Sequence, residues 1–182
     1  MPRSARRELA DGVHHVTCRG NGKQLVFIRR VDHEIFLRLL AQVVDRFRWQ
    51  CLTYCLMRNH YHLLVRTPEP TLGVGMRRLN GRYAQDFNRR YGRVGHVWQE
   101  RYHSVLLRED AHLAQAIGYI ALNPVRAGIC QRPEDWRWSA HRAIAGLGDD
   151  AIVSADVTLA YFAAAFGGDG RDRYLEFVAN RT

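Results

Sequence analysis

His60 and His62 stand on either side of one residue in a strand-forming run, His60-Tyr61-His62-Leu63-Leu64-Val65. Side chains on a strand alternate faces, so the two imidazoles point the same way, roughly 6 to 7 Å apart at Cα, and Tyr61 points to the other face. Two imidazoles so placed can converge on one divalent ion. The same pattern also suits a structural or merely exposed pair, so it needs context. Further along, residues 110–123 repeat at helical spacing. At about 100° per residue Leu113, Ile117 and Ile120 share one side, and His112, Gln115, Tyr119 and Asn123 cluster opposite. Tyr119 and Asn123 are an i, i+4 pair on that polar stripe. A phenol kept off the apolar stripe can serve as a nucleophile, and it also fits a rim tyrosine lying on the surface.

The elements that must position these residues read in the order βαββαβ, followed by a third helix. Val13 to Cys18 forms a first strand, Gly20-Asn21-Gly22 a turn, and Val31 to Phe47 a helix with Ile35, Phe36, Leu39, Leu40, Val43 and Phe47 at helical spacing. Gln50 to Met57 and His60 to Arg66 form a hairpin through Arg58-Asn59, ended by Pro68 and Pro70. From Thr71 to Tyr91, Leu72, Met76, Leu79, Tyr83, Phe87 and Tyr91 recur every three or four positions. Arg77, Arg78, Arg82, Arg89 and Arg90 fill the other faces, which makes a basic amphipathic helix and a candidate DNA-binding surface. Val97 to Leu107 gives a last strand, and Asp110 caps a helix that ends before Pro124. This α+β order fits a ferredoxin-like sheet with helices packed on one face, which alone implies no function. Gly146-Leu147-Gly148-Asp149-Asp150 reads as a linker, so residues 1–145 are expected as one domain and 146–182 as a C-terminal extension. In that extension Leu159, Phe162 and Phe166 suggest a short helix that packs on the core or crosses a DNA groove.

The 182 residues suffice for one cored domain, and the formal charge of +9 with a pI near 9.9 favours a polyanionic partner. Of the 27 basic residues only Lys23 is a lysine, and guanidinium pairs bidentately with phosphate. A G+C-rich genome would give the same arginine excess. Arg3, Arg6 and Arg7 join the candidate phosphate contacts, and Trp98, Trp136 and Trp138 can stack on bases or pack in the core. Cys18, Cys51, Cys55 and Cys130 lack zinc-knuckle spacing and read as buried free thiols. No apolar run approaches the roughly 20 residues that span a bilayer, and no signal-peptide core follows the N-terminal arginines. A cytoplasmic, nucleoid-associated chain, monomer or homodimer, is therefore expected.

The run Leu56-Met57-Arg58-Asn59-His60-Tyr61-His62-Leu63-Leu64-Val65 resembles the HUH motif of single-tyrosine transposases, the IS200-like family, in which U is a bulky hydrophobic residue. Tyr119-Ile120-Ala121-Leu122-Asn123-Pro124-Val125-Arg126-Ala127-Gly128 resembles their catalytic-tyrosine segment, particularly in REP-associated tyrosine transposases. Val97-Trp98-Gln99-Glu100-Arg101-Tyr102-His103-Ser104 and Trp138-Ser139 match the same subgroup. The resemblance covers about residues 12 to 142 in the family's order, and the motifs are specific in combination rather than singly. Arg58 replaces the proline common before Asn-His, and Tyr61 fills a position more often aliphatic; it is expected to pack behind the sheet.

The resemblance implies an HUH endonuclease fold with Tyr119 as nucleophile and His60, His62 and Asn123 as ligands of Mg²⁺ or Mn²⁺. The expected activity is metal-dependent cleavage and transfer of single-stranded DNA through a 5′-phosphotyrosine, acting on hairpins of repetitive extragenic palindromes. Two competitors come from other classes: a non-catalytic protein that binds repeat hairpins, and a metallohydrolase whose nucleophile is water. A covalent protein–DNA adduct separates all three.

Overall fold

The computed structural model describes residues 10–108 and 110–181. Arg3, Arg6 and Arg7 lie outside them, and so does the Asp110 side chain that would cap its helix.

Four strands form one antiparallel sheet in the order β2-β3-β1-β4: β1 Gly12–Arg19, β2 Gln50–Leu56, β3 His60–Thr67 and β4 His103–Leu107. With α1 (Arg30–Phe47) and α2 (Leu72–Tyr91) between them, this is the expected ferredoxin-like βαββαβ arrangement. Helices α1 and α2 pack side by side on one face. Phe36 of α1 lies 4.7 Å from the Tyr61 ring and Asn80 of α2 accepts the Tyr61 hydroxyl at 2.7 Å. The apolar positions read from the sequence make this layer: Phe36, Leu40, Met76, Leu79, Tyr83 and Phe87 are all buried. Tyr61 packs behind the sheet as strand alternation requires.

The opposite face is covered by α3 (Asp110–Arg126) and by α5 (Ala155–Phe166), with α6 (Gly170–Ala179) packed on both helices. Leu113, Ile117 and Ile120 form the buried stripe of α3. The helix continues through Pro124 to Arg126 rather than stopping before the proline. Pro124 lies in the last turn, where only one backbone bond is forfeited, and Ala127 N–H still reaches Asn123 O at 3.0 Å.

The strand expected from Val97 begins only at His103. Before it the chain crosses the end of β1: Asn21 N–H donates to Val97 O, Gln99 N–H donates to Arg19 O, and Trp98 donates its indole N–H to Asn80 O. Buried anchors at Val97 and Tyr102 hold that loop, so its apolar residues serve packing without pairing as a ladder. A short helix, α4 (His141–Ile144), leads into the extension.

The extension packs on the core. Thr158 donates to Leu52 O at 2.7 Å, Tyr54 donates to Asp150 at 2.6 Å, and the Tyr174 hydroxyl meets His141 Nδ1 at 2.6 Å. On α3, Gly118 leaves room for the Phe177 ring of α6, which a Cβ there would overlap. The outer edge of β2 is sealed in the same way: Leu56 N–H donates to Trp138 O, Ala140 N–H to Tyr54 O and Ser154 N–H to Cys51 O. No helix among the described residues is long and apolar enough to cross a membrane.

Candidate functional site

The β1–β3 pairing decides which side chains share the α3 face. Thr17 lies opposite His62 and Arg19 opposite His60, and His103 of β4 lies opposite Thr17. Directly paired residues project to the same side of a sheet. These positions, with Gln99, Glu100 and Arg101 from the loop before β4, line an open cavity of about 440 Å³ that also takes in Tyr119. The His60 and His62 rings stand 5.1 Å apart between centroids. Tyr119 arrives from α3 with its ring edge-on to His62, at 5.7 Å and 82°. It is 42% exposed, so its hydroxyl is not sealed from a ligand in the cavity.

The imidazoles are held neutral. Burial pushes His62 down to about 3, with His60, His15 and Arg19 adding unfavourable charge. Burial also lowers His60, helped by Arg19, and lowers His15, helped by His103. Neutral imidazoles carry the lone pair that a metal ion requires.

A family model for IS200-like transposases matches residues 11–123. The chain belongs to this transposase family. A Haemophilus influenzae protein named as a REP-associated tyrosine transposase is 27% identical over 121 residues, which cover 60% of this chain and 69% of that one. A solved structure described as a REP-associated tyrosine transposase bound to a REP hairpin superposes with a TM-score of 0.67 at 18% identity. That superposition covers 85% of this chain and 98% of the other. At that identity the likeness speaks to the fold.

Within this transposase-family chain, His60, His62 and Tyr119 converge on one cavity, although β3 and α3 are separated by α2 and β4. Asn123 sits one turn beyond Tyr119, and its amide donates to Tyr119 O at 3.3 Å; it is not among the residues lining the cavity. Among the described residues no group of three His, Cys, Asp or Glu surrounds one point. The donor set nonetheless suits an ion. Each histidine has its Nδ1 engaged, His60 by Asn59 Oδ1 at 2.7 Å and His62 by His15 Nε2 at 3.0 Å, which leaves Nε2 as the ligating nitrogen on both. Metal-binding histidines are typically held by such a partner on the other ring nitrogen.

The α2 arginines are not brought to this cavity. They lie beyond the sheet, where Arg78, Arg82 and Arg90 line a groove of about 620 Å³ with Arg38 of α1. Arg90 is bound to the buried Asp32 at 2.7 Å, whereas Arg82 and Arg89 make only loose pairs with Asp86 at 3.7 and 3.8 Å. The tryptophans are absorbed by packing. Trp138 stacks on His33 at 4.4 Å, Trp98 packs on Tyr61, and Trp136 donates to Leu56 O. Cys18, Cys51 and Cys55 are buried free thiols, and Cys130 is half-buried.

Arg19, Arg101, His15 and His103 were not singled out by sequence reasoning. The available signal was parity: His15, Thr17 and Arg19 alternate along β1 as His60 and His62 do along β3.

Proposed function

We propose that this chain is a metal-dependent single-stranded DNA endonuclease and strand transferase that acts through Tyr119. The observation that carries this reading is the edge-on approach of Tyr119 to His62 at 5.7 Å over an open cavity that His60 also lines. In the reaction the Tyr119 oxygen bonds to the scissile phosphorus as the bond to the 3′-oxygen breaks. The phenol gives up its proton, and the departing strand takes one up as a 3′-hydroxyl. The product is a 5′-phosphotyrosine, which keeps the energy of the broken linkage so that a later 3′-hydroxyl can reseal the strand and release Tyr119.

His60 and His62, with Asn123 swung from its helix carbonyl, would hold Mg²⁺ or Mn²⁺, which when bound supplies Lewis-acid polarisation of the phosphoryl group. Imidazole ligands favour Mn²⁺ of the two. Arg19 and Arg101, exposed on the cavity wall, neutralise phosphate charge beside the tyrosine. The α2 arginines other than Arg90 grip flanking DNA away from the cut. The similarity to REP-associated proteins, one of them bound to a REP hairpin, supports repeat hairpins as the substrate, and a chromosomal DNA substrate would bring the chain to the nucleoid.

The test incubates the chain with Mn²⁺ and single-stranded hairpin fragments of its own genome, then maps any covalent adduct by mass spectrometry. Phosphate on Tyr119, absent in Tyr119→Phe, is the expected result. Cutting without an adduct favours a hydrolase, binding without cutting favours a non-catalytic protein, and either sinks the proposal.

A further inference from the structure

His15 lies on β1 opposite Leu64, one same-face step from the Thr17–His62 pair, so it leaves the sheet on the side of the two motif histidines. Its Nε2 stands 3.0 Å from Nδ1 of His62, with ring centroids 5.3 Å apart. Its ring also meets Tyr119 edge-on, at 6.4 Å and 66°. One half-buried imidazole thus touches both the inner histidine of the motif and the tyrosine.

Between two neutral rings a nitrogen–nitrogen contact has one donor and one acceptor. His60 supplies the guide to which is which. Its Nδ1 faces Asn59 Oδ1 at 2.7 Å, and an amide oxygen can only accept, so His60 carries its proton on Nδ1 and presents Nε2 as a bare lone pair. For His62 to present the same nitrogen, its Nδ1–H must donate to His15 Nε2.

We propose that His15 is a positioning residue that fixes the Nδ1–H tautomer of His62, keeping its Nε2 unprotonated and its ring aligned beside Tyr119. The proposal rests on the reading of His60 and His62 as an ion-holding pair and adds the group that prepares the inner one. Without His15, His62 reverts to the Nε2–H form that a free imidazole prefers in water. A proton then occupies the ligating nitrogen.

The test is long-range ¹⁵N NMR of the full chain labelled at histidine and treated with chelator, paired with titration of Mn²⁺ alone. The wild type is expected to show His62 protonated on Nδ1. His15→Leu is expected to move His62 to the Nε2–H form and to weaken Mn²⁺ binding roughly 10- to 100-fold. His15→Gln, whose amide oxygen accepts a hydrogen bond, is expected to keep the Nδ1–H form and most of the affinity. A loss of fold would move the melting temperature of both variants together, whereas the tautomer separates them. If His15→Leu does not fold, the wild type and His15→Gln still decide the matter. An Nε2–H form of His62 in the wild type or in His15→Gln, or an Nδ1–H form persisting in His15→Leu, overturns the proposal. A wild type with the expected tautomer that takes up no Mn²⁺ supports the His15–His62 arrangement and overturns the ion-holding reading instead.

Discussion

The carboxylate of Asp32 and the guanidinium of Arg90 meet at 2.7 Å across 58 residues of sequence, with the carboxylate wholly buried. The same carboxylate accepts the Tyr91 hydroxyl at 2.7 Å and the backbone N–H groups of Ile28 and Arg29, so it pins the start of α1 to the end of α2. Burial alone would raise the Asp32 pKa. Hydrogen bonds from Arg29 N–H, Tyr91, Arg90 and Ile28 N–H outweigh burial and hold the group below its ordinary value. Its contribution is therefore complete above the unfolded carboxylate pKa of about 4, and is lost as pH falls through the lower folded value. Asp32→Ala should lower stability by about 1–3 kcal/mol in urea unfolding, because it leaves the Ile28 and Arg29 N–H groups and the Tyr91 hydroxyl without their acceptor. Asp32→Asn should flatten the wild-type decline below about pH 4. A loss well under 1 kcal/mol for the alanine variant would show that the clasp adds little.

That relationship divides the basic residues of α2. Arg77→Ala, Arg78→Ala and Arg82→Ala should each weaken DNA binding across sequences and reduce the salt slope by about 1. Arg90→Ala should chiefly cost stability. Anisotropy titrations between low and moderate salt measure this, and an unchanged slope in the triple variant would take α2 out of the DNA path.

Tyr61 and Tyr119 should respond in opposite ways to losing a hydroxyl. Tyr61→Phe leaves Asn80 Oδ1 without its 2.7 Å donor, which costs about 1–3 kcal/mol, yet adduct formation should stay within about tenfold. Tyr119→Phe should barely change the melting temperature and should abolish the adduct. Thermal unfolding and adduct gels on both variants give the comparison; a Tyr61→Phe protein that folds but forms no adduct would contradict it.

Six imidazoles, His14, His15, His33, His60, His62 and His141, are pushed down, burial being the largest cause in every case. The unfolded chain binds protons near pH 6.5 that the folded chain refuses, so stability is complete above that value and falls as pH drops below it. With chelator present, the unfolding free energy should decline by at least about 1 kcal/mol per pH unit between pH 6 and pH 5. Urea midpoints across that range measure the slope. A flat profile would show that these rings accept protons in the folded state.

Gly118→Ala should destabilise the chain, although alanine is the better helix former by about 1 kcal/mol. The new methyl group overlaps the Phe177 ring, an overpacking cost of roughly 1–3 kcal/mol. Phe177→Leu in the same chain should recover part of the loss. If Gly118→Ala raises the melting temperature, α6 does not press on α3 in solution.

Local periodicity made the core of this fold legible. The alternation that sends Tyr61 behind the sheet and His62 in front depends on adjacent residues alone, and the stripe of Leu113, Ile117 and Ile120 depends on one helix. What depended on register was not legible. His15 and Arg19 join the site only because β1 pairs with β3 so that Thr17 meets His62, and no run of sequence states that pairing. The loop at Val97 looked like strand because its residues are apolar, but their partners are the end of β1 and the flank of α2. The α2 arginines read as a stripe in the sequence, and the sheet between them and Tyr119 appears only in three dimensions. In sequence the extension reads as one helix, because α6 combines Arg171, Asp172 and Arg173 with buried Tyr174 and Phe177 over too few turns to reveal a period.

The sealed edge of β2 limits how copies of this chain can join. Backbone ladders extend a sheet only where a strand has unpaired N–H and C=O groups, and here residues 138–140 and 154 have used those of β2. Among the described residues the outer edge of β4 carries no strand. If two copies met there about a twofold axis, each would consume the other's open edge, and the joint sheet would end in a closed β2 on both sides. Strand-by-strand growth through the described sheet thus stops at a pair, so this route gives a bounded assembly and not a fibre.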